Sequence, residues 1–326
     1  MAGRVYLGLR RGGTAPLASF AQPAQKVRRI GYLSLGASTA YVRQLWQAPF
    51  FRAGYEEGRN LLIEWRFAEG HVGRLRELAD ELVRLKVELI VASLNEATDE
   101  AKQATQTIPI VMFSGSFPVE RGIVTSLAQP GGNITGTVWW ANPHETTMKT
   151  LEIIKDAVPH ARRVSALWNT ADPQVRFYDL AQQDRRAAAI GISLQRFAIT
   201  RREEVRAALD LVAASRPDAL RVSSNLSIVS GFQEIVAFAL ERKLVSISDA
   251  PTYVAAGGLL SYGPDLTEVL DRTVSYVDRI LRGAKPRDLP VEQASKYEMV
   301  LNAKTARAIA FNPPQSFMLR VNRTIE

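Results

Sequence analysis

The sequence has no cysteine and only three histidines among its 326 residues. A chain without cysteine has no disulfide, thiolate metal site or cysteine nucleophile. The histidines, His71, His144 and His160, are far apart and lack the spacing of zinc ligands, so no metal site is predicted. No cofactor is predicted either, because both the G-x-x-x-x-G-K-[ST] phosphate loop and the G-x-G-x-x-G fingerprint at a strand-to-helix turn are missing.

Long apolar runs and catalytic signatures are also absent. No apolar run approaches the roughly 18–20 residues that cross a bilayer. The G-x-S-x-G elbow of serine hydrolases is missing. No histidine follows a predicted strand, where it would serve as a general base. We therefore expect a protein that binds rather than catalyses, with an α/β enzyme as an alternative.

The chain has a net charge of +8 but no dense basic stripe. Its arginine pairs, at 162–163, 185–186 and 201–202, are scattered over separate predicted elements. Binding to nucleic acid typically requires basic residues clustered on one face or interleaved with aromatic residues. We therefore predict no nucleic-acid partner.

Length and composition are typical of a soluble globular protein with two domains. Apolar residues make up 46% of the chain and charged residues 23%. A chain of 326 residues is long for a single hydrophobic core. Residues 1–27 differ, because basic residues and a small-residue segment at 18–22 enclose only a short, polar interval. A secretory signal has a longer apolar core, so we expect a degenerate export signal or a disordered tail that does not pack.

Two series of alternating strands and helices flank the segment 126–136. This segment contains Pro130, Gly131, Gly132 and Gly136, which favour a tight turn over a helix. Short apolar runs alternate with amphipathic helical patterns on both sides of it. The pattern predicts an α/β fold with two doubly wound, Rossmann-like parallel-sheet lobes.

Short polar residues follow most of the predicted strands. In parallel sheets ligands bind beyond the carboxyl ends of the strands, and helix amino termini there favour carboxylates. Asp249 is the one acid at a strand end and is a candidate partner for an ammonium group. The alternative is that each serine caps its own helix, as the capping-box spacing of Ser93 and Glu96 indicates. The predicted ligand-binding residues are Ser38, Ser93, Asn95, Ser114, Ser116, Phe117, Trp140, Asn169, Ser223, Asn225 and Asp249.

Several segments together resemble one known family. They lie at 27–33, 101–111, 126–136, 256–263 and 276–293, and the resemblance covers nearly everything after residue 27. The sequence is similar to the solute-binding proteins of ABC importers, in the tryptophan/tyrosine-type substrate-binding family. That resemblance implies a type I periplasmic-binding fold, with two lobes joined by three crossing segments and a ligand trapped when the lobes close. With three crossings, we assign 28–117 and 264–290 to the first lobe, and 118–263 and 291–326 to the second.

The resemblance also implies a ligand, a partner and a compartment. The expected ligand is a small carboxylate-bearing solute, an amino acid and often an aromatic one. The loops at 93–97 and 114–117 would hold its carboxylate, and Asp249 would lie near its amine. The protein would be a periplasmic monomer that presents the ligand to an inner-membrane ABC permease. The run Ser-Gly-Ser-Phe-Pro-Val at 114–119 departs from the more usual Gly-Asp-Pro-Val, which bears on ligand identity.

A ligand-sensing core related to bacterial repressors is a further alternative. It would be cytoplasmic. Its DNA-binding headpiece would precede the first strand, where the sequence shows no helix-turn-helix pattern. We therefore favour a transport role.

Overall fold

The computed structural model describes residues 26–140, 143–170 and 173–326, and the side chains of 140, 143, 144, 173, 174 and 226 are not described. The strands are β1 (Arg28–Ser34), β2 (Leu61–Phe67), β3 (Ile90–Ser93), β4 (Ile110–Ser116), β5 (Ile134–Trp140), β6 (Arg163–Trp168), β7 (Ser193–Ala198), β8 (Ala219–Val222), β9 (Val245–Ser248), β10 (Leu260–Pro264), β11 (Glu292–Gln293), β12 (Tyr297–Asn302) and β13 (Arg323–Ile325). The helices are α1 (Ala40–Arg52), α2 (Leu75–Arg84), α3 (Asn95–Ala104), α4 (Pro143–Ala157), α5 (Leu180–Ala189), α6 (Val205–Ser215), α7 (Leu226–Val229), α8 (Phe232–Glu241), α9 (Pro251–Ala255), α10 (Leu266–Leu281), α11 (Ala303–Ala308) and α12 (Gln315–Met318).

The strands form two sheets, one in each lobe. The first has the order β11-β5-β4-β3-β1-β2, and all its strand pairs are parallel. The second has the order β13-β12-β10-β9-β8-β6-β7, and only β10 and β12 pair in antiparallel fashion. The predicted pair of doubly wound α/β lobes is therefore confirmed.

Both faces of the first sheet are buried, because successive side chains of a strand point to opposite faces. In β1, Ile30 and Tyr32 belong to one apolar core, and Leu33 belongs to the core on the other face. On that second face, α2 packs so closely that a Cβ atom at Gly31 would lie 2.9 Å from Leu82. The second sheet is likewise covered by two cores.

The chain passes between the lobes three times. These crossings follow β5, β10 and β11, as the two sheets and the packing of α10 on the first sheet show. The strand β5 pairs with β4, so the expected start of the second lobe at residue 118 is wrong. Glycine permits the close approach of these strands, since Gly136 has φ 128° and a Cβ atom there would lie 2.4 Å from the Met112 carbonyl oxygen. The boundary at 290 is corrected in the same way, because β11 pairs with β5.

The expected tail, residues 1–27, lies outside the described residues except for Lys26 and Val27, which are exposed. Lys26 donates to Glu88 at 3.0 Å. Among the described helices, none is long and apolar enough to cross a membrane.

Candidate functional site

A cavity of about 460 Å³ lies between the lobes, at the carboxyl ends of strands from both sheets. In the first lobe its walls come from the ends of β1, β3 and β4 and from the start of α1. In the second lobe they come from the ends of β6, β8 and β9. Open parallel sheets bind ligands at this edge, so the cavity is the candidate functional site.

Most of the predicted site residues line this cavity. Those that do so are Ser93, Asn95, Ser114, Ser116, Asn169, Ser223, Asn225 and Asp249. Ser38 is exposed outside the lining, where its backbone N–H donates to Glu69 Oε1 at 2.9 Å. Phe117 is buried at the edge of the cleft, outside the lining, and packs on residues of the second lobe. The side chain of Trp140 lies outside the described residues.

The two first-lobe loops are joined by the Asn95 side chain. Its Oδ1 accepts the backbone N–H of Ser116 at 2.9 Å, and its Nδ2 donates to Ser116 Oγ at 3.3 Å. Ser93 does not cap the following helix, contrary to the capping-box interpretation. The cap position is Leu94, which has φ 74° and supplies no side-chain hydrogen bond. The amino terminus of α3 therefore opens on the cavity without a side-chain cap, with its partial positive charge directed there.

The end of β4 has unusual backbone geometry. Ser114 has φ 59° and Phe117 has φ 53°, in the left-handed region that non-glycine residues rarely adopt. The register between β4 and β5 shifts after Met112. A Cβ atom at the intervening Gly115 would lie 3.1 Å from Asn95 Oδ1, a tight contact that favours glycine at this position. Strained backbone of this kind concentrates at binding sites, and here it directs 114–116 into the cleft.

Aromatic side chains form the apolar wall of the cavity. The ring of Trp46 lies 5.5 Å from that of Tyr32 and 4.9 Å from that of Phe113, and the Phe113 and Trp139 rings are 6.5 Å apart. Burial raises the pKa of the Tyr32 phenol, which therefore stays protonated. The indole Nε1 of Trp139 is buried and has no hydrogen-bond partner among the described residues. The sequence pattern did not single out Trp46, because it lies within the helix α1.

A buried arginine dominates the opposite wall. The Arg221 guanidinium donates through Nε to Thr150 Oγ1 at 3.0 Å, through Nη1 to Ser223 Oγ at 2.9 Å, and through Nη2 to Asp249 Oδ2 at 3.3 Å. Arg221 and Asp249 are 6% and 8% exposed, so both charges have lost most of their contact with bulk water. The sequence-based analysis missed Arg221, which stands inside a short buried strand. A lone charge in such a strand was the available signal.

The described residues contain no group of three or more histidine, aspartate or glutamate side chains placed to hold a metal ion. What the cleft offers is hydroxyl groups, an arginine-aspartate pair, backbone N–H groups and an aromatic wall. These groups bind a small organic molecule by hydrogen bonds, charge and ring packing.

Comparison with known proteins agrees with this geometry. Over 262 residues the chain is 28% identical to the tyrosine-binding protein of Clostridioides difficile strain R20291, covering 78% of this chain and 72% of that protein. A Streptococcus pneumonia ABC domain solved with L-Trp superposes with a TM-score of 0.81 at 25% identity, over 92% of this chain and all of that one. A ligand-free, open substrate binding protein with adhesive properties from Clostridium difficile gives 0.69 at 23% identity, over 92% and 99% of the two chains.

A family model described as ABC transporter substrate binding protein matches residues 44–321. Leucine-binding and sugar-transporter proteins share the two-lobed type I periplasmic-binding fold, with TM-scores of 0.53 and 0.56. Proteins of the matched family bind a small molecule for an ABC permease and are not enzymes, which confirms the expectation of a non-catalytic protein. The chain therefore belongs to the ABC transporter substrate binding protein family.

Proposed function

We propose that this protein captures an aromatic amino acid between its lobes and delivers it to an ABC permease. The observation that carries this proposal is the division of the cavity into an aromatic wall and a charged wall. Tyr32, Trp46 and Phe113 lie on the first-lobe side, and Arg221 and Asp249 lie on the second-lobe side. An aromatic amino acid has one apolar end and one charged end, which match these walls.

The size of the cavity and the named ligands of the relatives support this ligand class. A volume of about 460 Å³ falls within the range of roughly 300–1,000 Å³ that is typical of small-molecule sites. The curated relative is named for tyrosine, and the pneumococcal domain was solved with tryptophan. Backbone N–H groups at the start of α3 and the hydroxyls of Ser93 and Ser114 are placed to bind further polar atoms of the ligand.

Capture depends on the lobes closing around the ligand. A ligand stabilises the closed state only through contacts that the open state lacks. Residues of both lobes line one cavity, so a bound amino acid would gain its second set of contacts on closure. The three crossing segments after β5, β10 and β11 are the hinge.

The proposed role also implies a compartment, an oligomeric state and a partner for the protein. We propose that it works in the periplasm as a monomer, without nucleic acid, and docks on its permease when the lobes are closed. The family match supports the small-molecule ligand and the permease. The compartment and the monomeric state rest on the sequence resemblance.

A thermal-shift series on the full chain tests the proposal. Saturating L-tryptophan, L-tyrosine or L-phenylalanine should raise the Tm by several degrees, because binding to the native state stabilises it by about 2.7 kcal/mol at one hundred times Kd. L-Leucine should give a smaller shift, and glucose none. If no aromatic amino acid shifts the Tm at millimolar concentration, the proposal is wrong.

Two serine variants test whether the ligand binds in the cavity between the lobes. Ser223→Ala removes a hydroxyl that lines the cavity, and it should weaken binding of the amino acid that gives the largest shift. Ser38→Ala is the matched control, because Ser38 lies outside the cavity lining. Equal weakening by both variants would contradict the assignment of the site to this cavity.

A further inference from the structure

We propose that Arg221 and Asp249 act together as the receptor for the zwitterionic head group of the ligand. Arg221 binds the carboxylate, and Asp249 Oδ1 binds the ammonium group. The inference rests on the proposed function, in that it takes the cleft to bind an amino acid. The sequence resemblance already implies that Asp249 lies near the amine, but it places the carboxylate on the first-lobe loops. The new assignment is the binding role of Arg221, which puts both charges of the ligand on the second lobe.

The hydrogen bonds of the Arg221 guanidinium leave donors available. A guanidinium has five N–H donors. Three of them go to Thr150, Ser223 and Asp249, one from each nitrogen. One N–H on Nη1 and one on Nη2 therefore have no partner among the described residues. These two N–H groups, one on each terminal nitrogen, are available to a carboxylate, which arginine commonly binds through two N–H groups.

The Asp249 carboxylate likewise has one oxygen available. Its Oδ2 accepts from Arg221, while its Oδ1 is buried and has no hydrogen-bond partner among the described residues. A buried carboxylate oxygen without a donor is costly. A ligand ammonium group would supply the missing donor.

The burial of the Arg221–Asp249 ion pair indicates that it serves ligand binding rather than the stability of the fold. A buried ion pair contributes little to stability compared with apolar side chains, because both charges lose their hydration. This pair is also incompletely hydrogen-bonded at the wall of a cavity. Arg196, the other second-lobe arginine in the lining, is different, since Asp184 Oδ1 and Gln183 Oε1 accept from it at 2.6 and 3.1 Å.

The pair selects against ligands that carry only one of the two charges. An amine without a carboxylate would place a cation beside Arg221 with nothing to accept from its free N–H groups. A carboxylate without an amine would place a second anion near Asp249 and leave Oδ1 without a donor. A zwitterion satisfies both groups and keeps the local charge balanced.

The test compares one amino acid with its two singly charged analogues by isothermal titration calorimetry on the full chain. The probes are L-tryptophan, tryptamine and indole-3-propionate. We expect wild-type protein to bind L-tryptophan at least about 30-fold more tightly than either analogue, as expected for loss of one buried charge pair. Comparable affinity for tryptophan and either analogue would overturn the inference while leaving the proposed function intact. Failure of all three probes and of their tyrosine counterparts to bind would contradict the proposed function itself.

Variants assign the two charges. Arg221→Gln should lower the affinity for L-tryptophan at least about 30-fold and reduce the discrimination against tryptamine. Asp249→Asn should instead reduce the discrimination against indole-3-propionate. Arg66→Gln is the control, because Arg66 pairs with Glu81 on the edge strand β2, outside the cavity lining. If Arg221→Gln changes the affinity by less than about threefold, the inference is wrong.

Folding of the variants is checked independently. Removing Arg221 leaves a buried aspartate without its partner, so the unliganded Tm of Arg221→Gln is measured alongside that of Arg221→Lys. The lysine variant keeps the charge but loses the paired donors, and we expect it to bind tryptophan less tightly than wild type. If both variants unfold, the wild-type analogue series can still overturn the inference, because comparable affinity for tryptophan and one analogue contradicts it without any substitution.

Discussion

The ring of Phe117 in the first lobe lies 5.4 Å from the ring of Phe177 in the second lobe and 5.6 Å from that of Tyr178. Phe117 is 3% exposed, so its ring is almost completely buried. It lies at the edge of the cleft rather than in its lining. The contact joins the two lobes beside the cavity, so we expect it to help hold them together around a bound ligand.

Phe117→Ala should therefore weaken ligand binding, although Phe117 lies outside the cavity lining. An aromatic pair contributes about 0.5–1.5 kcal/mol, so we expect a loss of affinity of about twofold to tenfold. Titration calorimetry with L-tryptophan measures it. The control is Phe51→Ala, because Phe51 is 71% exposed on α1. Unchanged affinity in Phe117→Ala would show that the contact contributes nothing to closure.

Asn95→Ala should lower both stability and affinity. The substitution leaves the Ser116 backbone N–H without its acceptor, which costs about 1–3 kcal/mol in the free energy of unfolding. It also releases the loop that ends in Ser116 at the cavity wall. Urea unfolding and titration calorimetry measure the two effects.

A second asparagine separates these effects. Asn322 Oδ1 accepts the Met299 backbone N–H at 2.7 Å in the second lobe, outside the cavity lining. Asn322→Ala should therefore lower stability by a similar amount while leaving affinity unchanged. An Asn95→Ala variant that binds as tightly as wild type would contradict the positioning role of Asn95.

Glu204 should make stability depend on acid. Hydrogen bonds from the Thr200 backbone and side chain, together with Arg201, lower the pKa of its carboxyl to about 2. Because the folded-state pKa lies below the ordinary value of 4.5, the contribution is present above pH 4.5 and is lost as the pH falls toward 2. The Tm of wild type should exceed that of Glu204→Gln at pH 6, and the difference should shrink toward pH 2.

Glu203→Gln is the control for this experiment, since Glu203 has no hydrogen bond or ion pair in the part of the chain that the structure describes. Its Tm should follow that of wild type at every pH. A difference between wild type and Glu204→Gln that stays constant from pH 6 to pH 2 would contradict the assignment.

The sequence predicted the architecture well because it depends on periodic patterns. The uninterrupted apolar strands and the amphipathic helix α2 each indicate their own structure. The lobe boundary was harder to predict, because an apolar strand such as β5 fits either sheet. The strand pairs with β4 in the first sheet, and the close approach at Gly136 that accompanies this pairing is not visible in any local pattern.

The sequence predicted where the site lies, at the carboxyl ends of the strands, but it did not predict all of the side chains that line it. Short polar residues after strands marked the cleft, since topology brings those ends together. Arg221 and Trp46 reach the cavity from inside a strand and a helix, where their local patterns indicate only structure. The error at Ser93 has a similar cause, because capping-box spacing cannot show that Leu94 adopts a positive φ.

Hydrogen–deuterium exchange with saturating L-tryptophan tests the central claim most directly, because it reports on both lobes at once. If the ligand lies between the lobes, protection should increase both in peptides that contain Asn95 and Ser116 and in peptides that contain Arg221 and Asp249. Increased protection confined to one lobe, or absent from both, would contradict capture in the cleft.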